Sequence, residues 1–393
     1  MKHSIYIHIP FCRHRCNYCD FVTTAGEQAY IPVYVDALNK EFRVVNNKND
    51  RIWVHSIYFG GGTPSLISVS QYKNLLDTIK SHYLLTEDCE ICLEANPGTL
   101  SAKYLAGLKS LGFNRISIGV QSTDPFDLKR LDRMHTIEDV LRNIKNIKQV
   151  GLNNLNIDLI FGLPWQSLES WKNSLERAIH LHPEHFSLYS LLIEQGTILY
   201  DWNQKGLIKP QDQDLEGEMY ECAMIMLDRA GYDHYEISNW VKRDPIKDYR
   251  CRHNLQYWLN MPYLGFGAGA HGYVKGIRMV NTSDIFDYIK RINRVVPSNL
   301  RFPQSPANVS STFVDRYTQM KDFMLLGLRL INPGVSSETF AEWYGESAAD
   351  VFADDIEQLL NQGLVEWWGD GQTFLRLSKR GVMVANQVFM HFV

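Results

Sequence analysis

The 393-residue sequence contains no apolar run long enough to cross a bilayer, so no transmembrane segment is expected. It has no Lys/Arg block, and its formal charge of −4 offers no electrostatic footprint for a phosphate backbone or a membrane surface. Nucleic acid is therefore not an expected partner. The N-terminus lacks the basic region, apolar stretch and small-residue cleavage site of a secretory signal, because one lysine precedes a short apolar run broken by His3, His8 and Pro10. A soluble, cytoplasmic protein is expected. In that compartment seven cysteines read as reduced thiols or metal ligands rather than as a disulfide framework. Also missing are a GxxxxGK[ST] loop, a GxGxxG loop, low-complexity tracts and any internal repeat beyond an alternation of β and α signals.

That alternation is what the sequence does contain. Strand-like runs stand at about 4–10, 52–59, 90–95, 114–120, 154–161 and 185–192, separated by segments with apolar residues three and four apart, such as "SQYKNLLDTIKSHY" and "IEDVLRNIKNIKQVG". Six βα units predict a parallel sheet with crossover helices, in a barrel or an open part of one. The expected class is α/β, a partial (β/α)6 barrel over residues 1–240. A helix near 212–230 and a peripheral strand in "YDHYEIS" complete this part. Residues 241–312 read as an extension, with a loop-like "RCRHNLQYWLNMPYLGFGAGAHGY" and a polar linker. Residues 313–393 read as three helices, a short hairpin and a last helix, a smaller winged-helix-like domain. Eleven Asp/Glu against six Lys/Arg there argue for a lid or packing role over a nucleic-acid surface.

In a barrel the chemistry sits at the C-terminal ends of the strands, and the unusual residues fall there. Cys12, Cys16 and Cys19 follow the first strand; Gly60, Gly61, Gly62, Thr63 and Pro64 follow the second; Glu94, Gln121 and Asp158 mark the next three. A closed zinc site wants four ligands, and Cys89 with Cys92 could supply a second pair. Residues three apart on a strand point to opposite faces, so that pair reads as buried small residues. Three thiols in eight residues suit an iron–sulfur cluster held by three ligands, one iron being left for another molecule. Gly60–Gly62 allow close backbone approach to a ligand. Glu94, Gln121 and Asp158 are polar groups at the mouths of apolar strands; capping and supporting hydrogen bonds are their other reading.

CxxxCxxC on the first βα loop and "GGGTP" after the second strand resemble the radical S-adenosylmethionine (SAM) superfamily. The resemblance implies a [4Fe–4S] cluster on Cys12, Cys16 and Cys19, with SAM chelating the open iron and cleaved to methionine and a 5′-deoxyadenosyl radical. "IHIPFC", "GGGTPS", "GVQS", "RLDRMH" and "DLIFGLP" match the coproporphyrinogen dehydrogenase-like branch in order. By that match Tyr6 lies near the cluster, Tyr18 beside the adenine, Gln121 and Asp158 near the ribose, and Arg133 on the SAM carboxylate. Gly60, Gly61, Gly62, Thr63 and Glu94 complete the implied SAM site. Apart from the resemblance, Arg133 reads as a solvated helix residue.

Within the branch, the dehydrogenases carry a fourth cysteine two residues after the third and an N-terminal extension. This sequence has Asp20 and Phe21 after Cys19, and its first strand begins at about residue 4. It is more similar to the heme-chaperone members, which share "CDF" and an HNxxYW motif, here His253 to Trp258. The resemblance implies heme as cargo, with His253 ligating the iron and Tyr257 and Trp258 against the porphyrin face. Read alone, His253 is a loop or core histidine; Cys251 is a second candidate ligand, and His8 and His271 are candidate pocket residues. His55, His82, His180, His182 and His185 read as surface or strand-flanking. A heme-receiving apoprotein and an electron donor are implied partners, with contact at the membrane surface during delivery; a homodimer and SAM turnover stay open. The other readings are an oxygen-independent coproporphyrinogen III dehydrogenase, which decarboxylates porphyrinogen propionates, and an iron–sulfur or zinc protein without SAM.

Overall fold

Six strands form the centre of the molecule: β1 (His3–Ile9), β2 (Trp53–Gly61), β3 (Leu84–Ala95), β4 (Arg115–Gln121), β5 (Leu155–Phe161) and β6 (His185–Ser190). Each pairs in parallel with the next. The computed structural model describes residues 2–46, 51–294 and 301–393. Among the helices between the strands are Ile31–Val44, Val69–His82, Ala102–Leu111, Ile137–Gln149 and Leu168–Ile179; the first starts without a side-chain cap, with Pro32 in its first turn, and the other four start where the sequence supplies caps. Ser68 with Gln71 and Thr136 with Asp139 form capping boxes, and Ser101 and Ser167 cap the other two of the last four.

The two faces of the sheet differ in kind. Ile5, Ile7, Ile9, Ile57, Phe59, Ile91, Leu93, Ile116, Ile118, Ile157 and Leu159 all join the apolar core shared with the helices. Their neighbours one residue away, Tyr6, Tyr58, Glu94, Ser117, Asn156, Asp158, His185 and Ser187, line an interior cavity instead. A period of two thus sorts each strand into an apolar outer set and a polar inner set. Cys89 and Cys92 obey the same rule: Cys89 packs in the outer core, while Cys92 is buried outside it.

The sheet is wider than the six barrel strands and one peripheral strand expected. It has twelve, in the order β12-β11-β10-β9-β1-β2-β3-β4-β5-β6-β8-β7, once β7 (Tyr232–Glu236), β8 (Asn239–Lys242), β9 (Tyr263–Phe266), β10 (His271–Val274), β11 (Ile277–Asn281) and β12 (Asn308–Phe313) are added. The strand expected in "YDHYEIS" is β7, at one edge. The stretch expected to be loop-like is helix Arg252–Trp258 followed by β9 and β10. β9 pairs in parallel with β1, and β10, β11 and β12 continue antiparallel. These strands are four to six residues long, β9 and β10 each hold a Gly, β11 holds Arg and Asn, and β12 is exposed along most of its length, so they lack the apolar runs that mark β1 to β6. Within the expected linker, residues 295–300 lie outside the described residues.

The C-terminal part has its own core around Met324, Phe340, Leu359, Leu375 and Val388. Its helices, Arg316–Gly327, Ser337–Tyr344, Ala348–Val351 and Ala353–Asn361, precede the expected hairpin, Val365–Trp368 with Phe374–Leu377. The third expected helix is broken at Phe352 and the last at Val384. A bridge between Glu236 and Leu330 joins this part to the edge of the main sheet.

Candidate functional site

The loop after β1 is closed by Phe11–Cys12, which pairs in parallel with Thr24–Ala25. Gln28 Nε2 donates to Cys12 O at 2.7 Å, and Arg15 Nη2 to Cys19 O at 3.0 Å, fixing both ends of the thiol triplet. Cys12, Cys16 and Cys19 are free and line one cavity of about 460 Å³. Among the described residues no three His, Cys, Asp or Glu groups close on a single metal position. A cluster asks less, since each thiolate takes its own iron and the three need only face one space. Burial pushes the Cys12 and Cys19 thiols up, so their ionised form calls for positive charge nearby.

The glycine-rich end of β2 packs directly on this loop. A Cβ at Gly62 would stand 2.9 Å from Cys12 Sγ and 2.8 Å from Phe11 O, so no larger residue fits. Gly61 has φ +117° and donates its N–H to Glu94 Oε2 at 3.0 Å, while the Tyr58 hydroxyl donates to Glu94 Oε1 at 2.8 Å. Glu94 therefore clamps the backbone of β2, and burial pushes its carboxyl up to about 7. Thr63 is buried behind the loop, its hydroxyl donating to Cys12 Sγ at 3.4 Å. Gly60 sits between Tyr58, Tyr6 and Glu94 and, like Thr63, does not line the cavity.

On the far side, Arg133 holds Asn96 Oδ1 at 2.8 Å and the Gly119 carbonyl through Nη2, and points Nη1 at Cys16 Sγ, 3.6 Å away. It is a half-buried member of the site, standing between two helices, not a solvated helix residue. Among the described residues its Nε has no partner, and neither does the buried Oε1 of Gln121, whose backbone stands at φ +68° at the end of β4. Asp158 accepts from Ser117 Oγ at 2.9 Å and Asn156 Nδ2 at 2.8 Å, and burial pushes it up. Tyr6 and Tyr18 complete the wall. Three thiols, glycines with no room for a Cβ, and two orphaned buried polar atoms fit a cluster with a polar ligand beside it.

Several contributors escaped the sequence reading. Asn96 bridges Arg133 to Thr63, donating to Thr63 Oγ1 at 2.9 Å; its one signal was its place in "EANPG" beside Glu94. Arg115 is fully buried at the cavity floor, bonded to Asn154 Oδ1 and Tyr249 O. His185, expected to flank its strand, is buried inside, its ring 2.6 Å from Asn156 Oδ1 and 2.8 Å from the Tyr235 hydroxyl. A period-two count from Ser187 would have placed it there.

A second cavity of about 700 Å³ adjoins the first, and Tyr6, Asp20, Phe21 and Tyr257 line both. Phe21 is 62 % exposed. Trp258, Met261, Tyr263, His271 and Tyr273 line the second cavity from the β9–β10 side, and Asp322, Leu325 and Leu326 line it from helix Arg316–Gly327. His8 also lines it, with Nδ1 3.0 Å from the Tyr6 hydroxyl and Nε2 2.7 Å from Val22 O. His253 is only 1 % exposed and lines the first cavity. Its Nδ1 is 3.0 Å from Ser56 Oγ, its Nε2 is 2.8 Å from the Tyr257 hydroxyl, and its ring stacks on Tyr58. Burial, and then His55 nearby, pushes it down to about 3. Cys251 is buried beside it, its Sγ 3.7 Å from Glu90 Oε1.

The model of the Radical SAM superfamily matches residues 6–178, and that of the HemN C-terminal domain matches residues 314–384. The chain is 37 % identical over 391 residues to the heme chaperone HemW of Bacillus subtilis, covering 99 % of both. It is 35 % identical to the heme chaperone HemW of Lactococcus lactis, covering 99 % of this chain and 97 % of that one. Escherichia coli coproporphyrinogen III oxidase, HemN, superposes with a TM-score of 0.83 over all of this chain and 90 % of that one, at 22 % identity, a likeness of fold alone. The match to full-length relatives and the three-thiol site agree: this chain belongs to the radical SAM superfamily and, within it, to the HemW family.

Proposed function

We propose that this protein is a heme chaperone: it binds heme, keeps a SAM-binding [4Fe–4S] cluster, and passes the heme to a recipient apoprotein. The observation that carries this reading is the pair of adjoining cavities. One has thiols, glycines and orphaned polar groups suited to a cluster and SAM. The other is larger and walled by Tyr257, Trp258, Tyr263 and Tyr273, and its volume lies within the range of about 300–1,000 Å³ of ligand pockets. When bound, the cluster and SAM supply one-electron chemistry, drawing on an external electron donor. The chain's own residues do the rest: Arg133 and Gln121 offer charge and an acceptor to SAM, Glu94 holds the β2 backbone in place, and the HNxxYW motif presents aromatic faces to the neighbouring cavity.

In this division of labour residues 1–240 hold the cluster, 241–312 build one wall of the heme cavity, and 313–393 close it. His253 is the motif's histidine, and it can ligate iron only by giving up its contacts with Ser56 and Tyr257. Work in the cytoplasm, with contact at the membrane surface during delivery, suits a chain in which no helix of the described residues is long and apolar enough to cross a membrane.

The dehydrogenase reading is tested on the same protein. Mixed with heme, the purified chain is expected to give a bound Soret band at one heme per chain. Incubated anaerobically with SAM and coproporphyrinogen, it is expected to make no protoporphyrinogen. Turnover of coproporphyrinogen with SAM consumption would replace the chaperone reading.

A further inference from the structure

The loop that carries the three thiols also faces solvent, and its charge is unlike that of the chain as a whole. Arg13, His14 and Arg15 fill the interval between Cys12 and Cys16, and all three are exposed, while Cys16 and Cys19 are half-buried. The formal charge of the chain is −4, so a cationic surface over the thiols is a local feature.

The fold adds a second cationic segment to the first. Asn17 donates its N–H to Leu131 O at 3.3 Å and its Nδ2 to Arg130 O at 3.2 Å, and His14 Nε2 stands 2.5 Å from Asp132 Oδ2. The turn after the short helix Pro125–Arg130 is thereby stitched along the thiol loop, and it exposes Lys129 and Arg130. The Arg130 guanidinium lies over the rings of Phe126 and Trp165, 4.7 and 5.0 Å from their centroids. Phe126 is 55 % and Met134 79 % exposed. The acids of this segment are already engaged: Asp132 by His14, Asp127 by Ser122 and Trp165, and Asp124 as the cap of its helix. Among the described residues Arg13, Arg15, Lys129 and Arg130 enter no salt bridge, and Arg15 holds the Cys19 carbonyl instead.

Four cations on two segments, with two exposed apolar side chains among them, complement an acidic protein patch. The place of the surface narrows the partner. The half-buried thiols lie behind it, so a carrier seated there is separated from the cluster's ligands by the loop alone. An anionic membrane would match the charge, but it would gain nothing from the nearness of the thiols.

We infer that Arg13, Arg15, Lys129 and Arg130, with Phe126 and Met134, form the docking surface for the external electron donor, and that this donor is a small acidic one-electron carrier protein. This rests on the reading of the thiols as cluster ligands. One electron leaves the reduced carrier and enters the cluster; no bond forms or breaks, and the carrier is left oxidised by one electron.

The probe is a plant-type [2Fe–2S] ferredoxin, an acidic carrier of low potential. Its affinity for the full-length chain, with and without the reconstituted cluster, is measured by calorimetric titration at rising ionic strength. Wild type is compared with Arg13→Glu/Lys129→Glu and with Lys290→Glu/Lys379→Glu, which makes the same change of charge at exposed lysines elsewhere. Wild type is expected to bind and to lose affinity as salt rises. Arg13→Glu/Lys129→Glu is expected to bind roughly tenfold or more weakly, with a flatter salt dependence. Its cluster should be reduced more slowly by reduced ferredoxin but not by the small cation methyl viologen. The control pair should stay within about twofold of wild type. Equal losses in both pairs, or wild-type affinity in Arg13→Glu/Lys129→Glu, would overturn the inference. So would absence of ferredoxin binding by wild type, and binding to phosphatidylglycerol vesicles in its place would assign the surface to a membrane. Failure of wild type to take up iron would overturn the cluster reading separately, since the cluster-free chain still reports the ferredoxin affinity.

Discussion

The two cavities share a wall and little else. The first is built on the ends of long parallel strands whose inner face is largely polar, and most of its groups are locked: Glu94 to Tyr58 and Gly61, Arg133 to Asn96 and Gly119, Asp158 to Ser117 and Asn156. The second is built on short antiparallel strands and a helix from another core, and its aromatic rings and the exposed His271 line an open space. Rigid, pre-organised polar groups suit a cofactor that stays and must be held in one geometry. A roomy aromatic cleft between two separately packed parts suits cargo that must also leave.

The largest effect that would separate the cavities is loss of the cluster. Replacing Cys12, Cys16 or Cys19 with Ser is expected to reduce bound iron after reconstitution from about four per chain to near none. Heme binding by the same variant should survive, since none of these cysteines lines the second cavity. Iron assays and a heme titration on one sample check both halves. Retention of about four irons would break the assignment of the thiols.

Next in size is Arg133→Ala. It removes the cation that spans Asn96, Gly119 and Cys16, and a lost charge-assisted contact predicts SAM binding weakened roughly tenfold to a hundredfold. The readout is the SAM concentration needed to perturb the EPR spectrum of the reduced cluster. Heme affinity should not move; a change there would mean the shared wall transmits more than the geometry implies.

These two regions were also unequally legible. The first could be read because its signals are local: three thiols in eight residues, a run of three glycines, and strands with strong apolar alternation. What went unread in it, Arg115, Asn96 and His185, are polar side chains whose burial depends on pairing between strands distant in sequence. The second region was read as loop and linker. β9 to β12 have few β-branched apolar residues, and β12 is an exposed edge, so the pattern that reveals a half-buried strand is missing. Its function was signalled by the HNxxYW motif together with Asp20 and Phe21 after Cys19, and the motif's place in a short helix, with His253 turned inward against Ser56, follows from packing on β2 that no spacing encodes.

A smaller effect sharpens the contrast through pH. Glu94 titrates near 7 in the folded chain because burial disfavours its charge, against 4.5 as the ordinary value. A carboxyl raised on folding stabilises the protein below its unfolded pKa and loses that contribution as pH rises through the folded one. Glu94 therefore contributes a fall in thermal stability between about pH 4.5 and 7 in the cluster-free chain, against the rise contributed by buried histidines such as His8, His185 and His253, whose pKa burial lowers. Glu94→Gln should remove that contribution and make the wild-type-minus-variant difference shrink as pH rises, while Asp158 and Glu41, also raised by burial, keep theirs. Differential scanning calorimetry across that range gives the comparison, and an unchanged slope in the variant would show that Glu94 stays ionised in the fold.

If one cavity takes the cluster with SAM and the other takes heme, all three bind at once. Anaerobic reconstitution with iron and sulfide, followed by heme and SAM titrations on the same sample, tests that claim most directly. One cluster, one heme and one SAM per chain, with SAM perturbing the cluster's EPR spectrum while the Soret band keeps its amplitude, is the predicted result. Displacement of heme by SAM at matched occupancy would place both in a single cavity and contradict it.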